Sequence, residues 1–141
     1  MATLPLRTKP IQSQFLGFAA VGAVGFVIDA GILTVLMSVM GWGAYGARAI
    51  SFATAVTATW WLNRRAVFRP TETPKREYSS YILVQIIGAL INLGVFVLLI
   101  ESAPPLLDWP VIPLAIGAVA GMIFNFFASR HFVFLEHDKR A

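Results

Sequence analysis

Four apolar runs, at about 15–40, 49–67, 79–100 and 111–128, take up most of this 141-residue chain. Each is close to the roughly 20 residues a helix needs to cross the hydrocarbon core of a bilayer. Few charges interrupt them, and glycines within them are common in spanning helices. The runs predict an all-α integral membrane protein with four transmembrane helices. Composition agrees, with 57% hydrophobic and 13% charged residues, against about 25% charged in a soluble domain. The first run is too long for a signal-peptide core and leads into further spans instead of a cleavage site, so it is expected to be retained. The expected organisation is a tail at 1–14, a four-helix domain at 15–134 with halves of about 15–68 and 78–134, and a tail at 135–141. That leaves too little chain for a separate soluble domain, which takes about 50 residues or more.

Charge sets the orientation. Basic residues gather in the N-terminal tail (Arg7, Lys9), the middle loop and its flanks (Arg64, Arg65, Arg69, Lys75, Arg76) and the C-terminal end (Arg130, Lys139, Arg140). The other two loops hold one basic residue, Arg48, and the acids Glu101 and Asp108. By the positive-inside rule, both termini and the middle loop are expected in the cytoplasm. The pI of about 10.0 is thereby assigned to topology, and no nucleic-acid partner is expected.

The second and fourth runs end alike, in "TWWLNRRAVF" and "NFFASRHFVF". At the offset that places Phe68 on Phe134 (134 minus 68, or 66), Arg64 falls on Arg130, Val67 on Val133 and Ile50 on Ile116. Ser51, Ala55, Thr59 and Asn63 recur every four residues, and their partners are Gly117, Gly121, Asn125 and Ser129. Residues four apart share a helix face, and small ones there permit close helix approach. The first and third runs match at an offset of 63 (88 minus 25), with Gly25 on Gly88, Asp29 on Asn92 and Gly31 on Gly94. The pattern predicts two helical hairpins repeated in parallel, because each half has an even number of spans.

With these residues in place, the chain resembles the GtrA-like family of small four-span membrane proteins. The resemblance runs from Phe15 to Phe134 and rests on the Asp in the first span and on the two endings. In the family pattern each ending reads N-F-x-x-N-R-x-x-V-F. Here Thr59 and Trp60 replace the first Asn and Phe, and Ser129 replaces the later Asn, so the Asn roles pass only to Asn63 and Asn125. The resemblance implies translocation of a polyprenyl-phosphate-linked sugar for cell-surface polysaccharide synthesis, in a bacterial cytoplasmic membrane. It also implies a polyprenyl-phosphate glycosyltransferase as neighbour.

Individual residues add chemistry to that expectation. Asp29 is the only acid within a span, where a carboxylate is costly unless paired, hydrated or protonated. Its partner is expected to be Asn92 or Arg48. Asn92, Asn125 and Gln85 do not titrate and suit helix packing or sugar hydroxyls. Arg64 and Arg130 suit topology alone; brought to one axis at headgroup depth, they suit a phosphate held bidentately. With Asn63 and Asn125 they form the candidate lipid-phosphate set, beside the intramembrane polar set of Asp29, Asn92 and Arg48. Trp60, Trp61, Phe126, Phe127, Phe132 and Phe134 are read as an interfacial belt or an entrance for an isoprenoid tail.

Catalytic signatures are missing. "GFAAVGAVG" has no Lys-Ser/Thr after it, and there is no Ser/His/Asp set, acid and base carboxylate pair, or cysteine. His131 and His137 have no companions at metal-ligand spacing. No covalent chemistry, cofactor or metal is expected. Two further readings stand beside translocation: a non-transporting anchor for the glycosyltransferase, docking through "RPTETPKREY", and a proton-coupled exporter of small hydrophobic cations. Four spans enclose little room for a sugar, so a homo-oligomer is expected, with the small-residue faces of the second and fourth spans available within or between chains.

Overall fold

A computed structural model describes residues 9–108 and 111–134. The tails at 1–8 and 135–141, with Arg7, His137, Lys139 and Arg140, lie outside the described residues, as do Trp109 and Pro110. The described chain is all-helical. Helix α1 covers Ile11–Thr34 and runs on through a π-helical turn, Val35–Val39. Helix α2 covers Ala44–Leu62 and ends in a π-turn at Asn63–Val67. Helix α3 covers Pro74–Ser102, and a short 3-10 turn, Pro104–Asp108, leads to α4 at Val111–Ala128, which also closes in a π-turn, Ser129–Val133.

Residues 11–39, 74–102 and 112–133 are each long and apolar enough to cross a membrane. α2, at 19 residues, spans about 28 Å at 1.5 Å per residue, long enough to accompany them. Its lower hydropathy comes from Arg48, Ser51, Thr54, Thr57 and Thr59. Helices α1, α2 and α3 also begin before their apolar runs do. Pro74 occupies the first turn of α3, where its missing N–H is no loss, and this carries the helix past the run into the polar loop. Between α1 and α2 the chain turns at Gly41, whose φ of 69° is a conformation glycine adopts without steric cost.

α1 packs along α2, and α3 along α4. Glycine sets how closely. A Cβ on Gly25 would strike the Thr59 side chain, and one on Gly88 would strike the Asn125 amide. A Cβ on Gly117 would lie 2.5 Å from the Asn92 carbonyl oxygen, and one on Gly121 2.8 Å from that of Gly88. The small-residue face of α4 is thus used inside the chain, against α3, and Ser51 and Ala55 of α2 are likewise buried.

The hairpins meet where α2 packs on α3 and α1 on α4, and the ring contacts between them gather at one end, beside the 63–67 and 129–133 turns. This is the basic end, and an aromatic cluster closes it. Phe68 and Phe134 stack at 4.9 Å, Phe126 packs edge-on against Phe15 at 5.1 Å and Phe18 at 5.7 Å, and Tyr81 meets Phe134 at 6.2 Å. Such pairs add about 0.5–1.5 kcal/mol each beyond area burial. Phe126 and Phe134 are therefore core residues, neither belt nor entrance. Trp61, Phe127 and Phe132 are exposed, as are Leu83, Leu90 and Leu98 along α3, as a lipid-facing surface requires.

Candidate functional site

The twin endings each send an arginine across to the first helix of the other hairpin. Arg64 donates from Nε to Glu77 Oε1 at 2.9 Å and from Nη2 to the Thr71 carbonyl at 3.0 Å. Glu77 also accepts from Trp60 Nε1 at 3.0 Å and from the Thr71 backbone N and Oγ1, both at 2.8 Å. Its side chain is 0% exposed, and its carboxylate lies in the first turn of α3, where the helix dipole favours negative charge. Arg130 donates from Nε to Gln14 Oε1 of α1 at 2.9 Å. Each arginine therefore has its own partner.

Above this closed end, a cavity of about 400 Å³ lies between the hairpins. Asp29, Arg48, Asn63, Asn92 and Asn125 all line it, together with Thr59, Tyr81 and Gln85; Arg64 and Arg130 do not. The expected lipid-phosphate set is thus divided, its asparagines facing the cavity and its arginines lying at the junctions. Asn63 Nδ2 donates to the Tyr81 hydroxyl at 2.9 Å, and Asn125 Nδ2 to Gln85 Oε1 at 3.2 Å. Of the two partners open to Asp29, the structure uses Arg48, whose Nη1 reaches Asp29 Oδ2 at 2.5 Å. The Arg48 side chain is 54% exposed, so this pair sits at the open side of the cavity.

Three acceptors of the cavity residues have no hydrogen-bond partner among the described residues, although they are buried: Asp29 Oδ1, Asn63 Oδ1 and Asn125 Oδ1. An unmatched buried polar atom costs about 1–3 kcal/mol. Three such atoms around one cavity form a surface that asks for donors, of the kind a ligand rich in hydroxyl groups would supply. Glycine holds these groups in place, since Asn125 occupies the space a side chain at position 88 would fill.

A family profile described as GtrA/DPMS, transmembrane domain, matches residues 17–139. The chain belongs to the GtrA/DPMS family. As a member it is a multi-pass membrane protein of glycosyl and polyprenyl-linked sugar metabolism. No curated protein matches its sequence.

Sequence reasoning missed Glu77, Gln14 and Tyr81. The signal was present: the offset of 63, carried outward from Gly25 and Gly88, places Gln14 on Glu77 and Phe18 on Tyr81. A buried carboxylate in a basic loop reads as one more surface charge until the fold brings Arg64 to it.

Proposed function

We propose that this GtrA/DPMS protein moves a polyprenyl-phosphate-linked sugar across a bacterial cytoplasmic membrane, and that the cavity between its hairpins takes the sugar. The observation that carries the reading is the set of unpartnered acceptors on Asp29, Asn63 and Asn125 around one cavity. Sugar hydroxyls are donors of the right kind, and polar groups at bilayer depth are tolerated where they are matched or line a cavity. On this reading the chain is a duplicated hairpin with its basic end and both termini in the cytoplasm, and it catalyses no covalent step. Its partners are membrane lipids, the lipid-linked sugar, a glycosyltransferase and further copies of the chain.

The pairing of Asp29 with Arg48 argues against the cation-exporter reading, because an acid already matched to a guanidinium is a poor site for a transported cation. A specific observation favours the anchor reading. Glu77 fastens the 68–73 loop at Thr71, and Arg69, Lys75 and Arg76 are exposed around it, as a docking surface would need.

The test is transbilayer movement of a short-chain polyprenyl-phosphate sugar in liposomes holding the purified chain. Wild type is expected to exceed protein-free liposomes, and an Asn63→Ala/Asn125→Ala double variant to be slower by about tenfold or more, the worth of roughly 1.4 kcal/mol of lost hydrogen bonding. Wild-type movement no faster than in protein-free liposomes would sink the transport reading and leave the anchor.

A further inference from the structure

The two junctions at the basic end have the same plan and different charge. Arg64 and Arg130 stand 66 apart, their partners Glu77 and Gln14 stand 63 apart, and both bonds run from arginine Nε at 2.9 Å. In the first junction the guanidinium meets a fully buried carboxylate. In the second it meets a neutral amide, so the structure places no negative charge on Arg130 from its partner.

We propose that Arg130 and Gln14 form the subsite for the phosphate of a lipid-linked ligand, while Arg64 serves as a structural clamp. The inference rests on the transport reading above and divides between two residues a role that their sequence equivalence assigned to both. A guanidinium carries five N–H donors and a glutamine amide two. At this junction the described residues engage only Arg130 Nε, through the Gln14 carbonyl oxygen. The Nη groups and the Gln14 amide hydrogens remain as a clustered set of donors beside a positive charge that no described residue compensates. A phosphate monoester or diester offers several acceptor oxygens and the missing charge, and its bonds to a guanidinium are charge-assisted. Arg64 carries no such uncompensated charge. Glu77 balances its charge, the Thr71 carbonyl takes a second N–H, and Trp60 and Thr71 fill the remaining acceptors of Glu77.

Position supports the assignment. Arg130 is only half-buried, near the end of its helix, whereas Gln14 is buried beneath it. The guanidinium can therefore meet a headgroup from the bilayer interface while its orientation is fixed from within. Lys9 adds positive charge at this end of the bundle, where its Nζ caps the Ala66 carbonyl at 2.5 Å.

The substitution that separates the roles is Gln14→Glu, which copies the Arg64 and Glu77 pair at the second junction. The experiment titrates farnesyl phosphate, inorganic phosphate and farnesol against the purified full chain in phosphatidylcholine nanodiscs, and follows thermal unfolding of each variant. Farnesyl phosphate is expected to bind wild type. Gln14→Glu is expected to weaken it by about tenfold or more, with the unfolding temperature held or raised, because the new carboxylate takes the place of the phosphate. Arg130→Gln should lose binding equally, and Arg64→Gln should lower the unfolding temperature while its folded fraction keeps binding. Undiminished binding by Gln14→Glu, or equal loss in folded Arg64→Gln, overturns the assignment while leaving transport through the cavity intact. If inorganic phosphate binds as tightly as farnesyl phosphate, the lipid assignment is wrong. No binding by wild type would remove the subsite and leave transport to the movement assay, whereas Arg130-dependent binding without transbilayer movement would uphold the subsite and remove transport alone.

Discussion

The basic end of the bundle and the cavity above it are built from similar residues to opposite effect. At the basic end Arg64, Glu77, Trp60 and Thr71 satisfy one another around a fully buried carboxylate, and Phe68 stacks on Phe134 at the same end. In the cavity, asparagine and aspartate side chains keep one oxygen bonded in no pair among the described residues. Polar groups buried in a bilayer are tolerated when matched and expensive when not. The contrast separates the part of the molecule that fastens the hairpins from the part that leaves buried acceptors unmatched.

The sharpest way to break this comparison is at Glu77. Glu77→Ala leaves Arg64 without its counter-ion and Thr71 without its acceptor, and removing one partner of a buried pair costs about 3–5 kcal/mol. The expected result is a large drop in the unfolding midpoint, and an unchanged midpoint would mean that the basic end does not fasten the hairpins. Next in size is Gly88→Ala. Its Cβ overlaps the Asn125 amide, and overpacking of this kind costs about 1–3 kcal/mol. Gly31→Ala is the control, because a Cβ there meets nothing within 4 Å and helix propensity gains about 0.5–1 kcal/mol. Equal effects of the two on unfolding would dismiss the close approach of α3 and α4.

Asp29→Asn should behave in the reverse manner. With the Arg48 side chain 54% exposed, losing the pair should shift stability by no more than about 1 kcal/mol, while transbilayer movement falls about tenfold. A pure anchor would dock its enzyme undisturbed by this change. Smallest of all is Phe132→Ala. Phe132 is exposed in the final π-turn, and surface changes of this kind stay within about 0.5 kcal/mol.

The helices were legible from the apolar runs because length and hydropathy alone decide whether a segment spans. Their starts were not: α1 and α3 begin in polar sequence, and Gln14 and Glu77 sit on those extra turns. The cavity residues Asp29, Asn63, Asn92 and Asn125 could be picked out singly, since a polar group in an apolar run declares itself. Their convergence with Tyr81 could not, because it depends on which face each helix turns inward. The arginines show the limit of pattern most clearly. Arg64 and Arg130 are equivalent by offset and alike in geometry, yet one meets a carboxylate and the other an amide, a difference fixed by residues 13 and 116 positions away in sequence.

The central claim is that the sugar of the ligand occupies the cavity between the hairpins. Photo-crosslinking with a polyprenyl-phosphate sugar carrying a diazirine on the sugar ring tests it directly, with the labelled positions read by mass spectrometry. The account expects label on cavity residues such as Asn63, Tyr81, Gln85 and Asn125, with loss when unlabelled ligand competes. Label confined to the lipid-facing Leu83, Leu90 and Leu98 of α3 would contradict it.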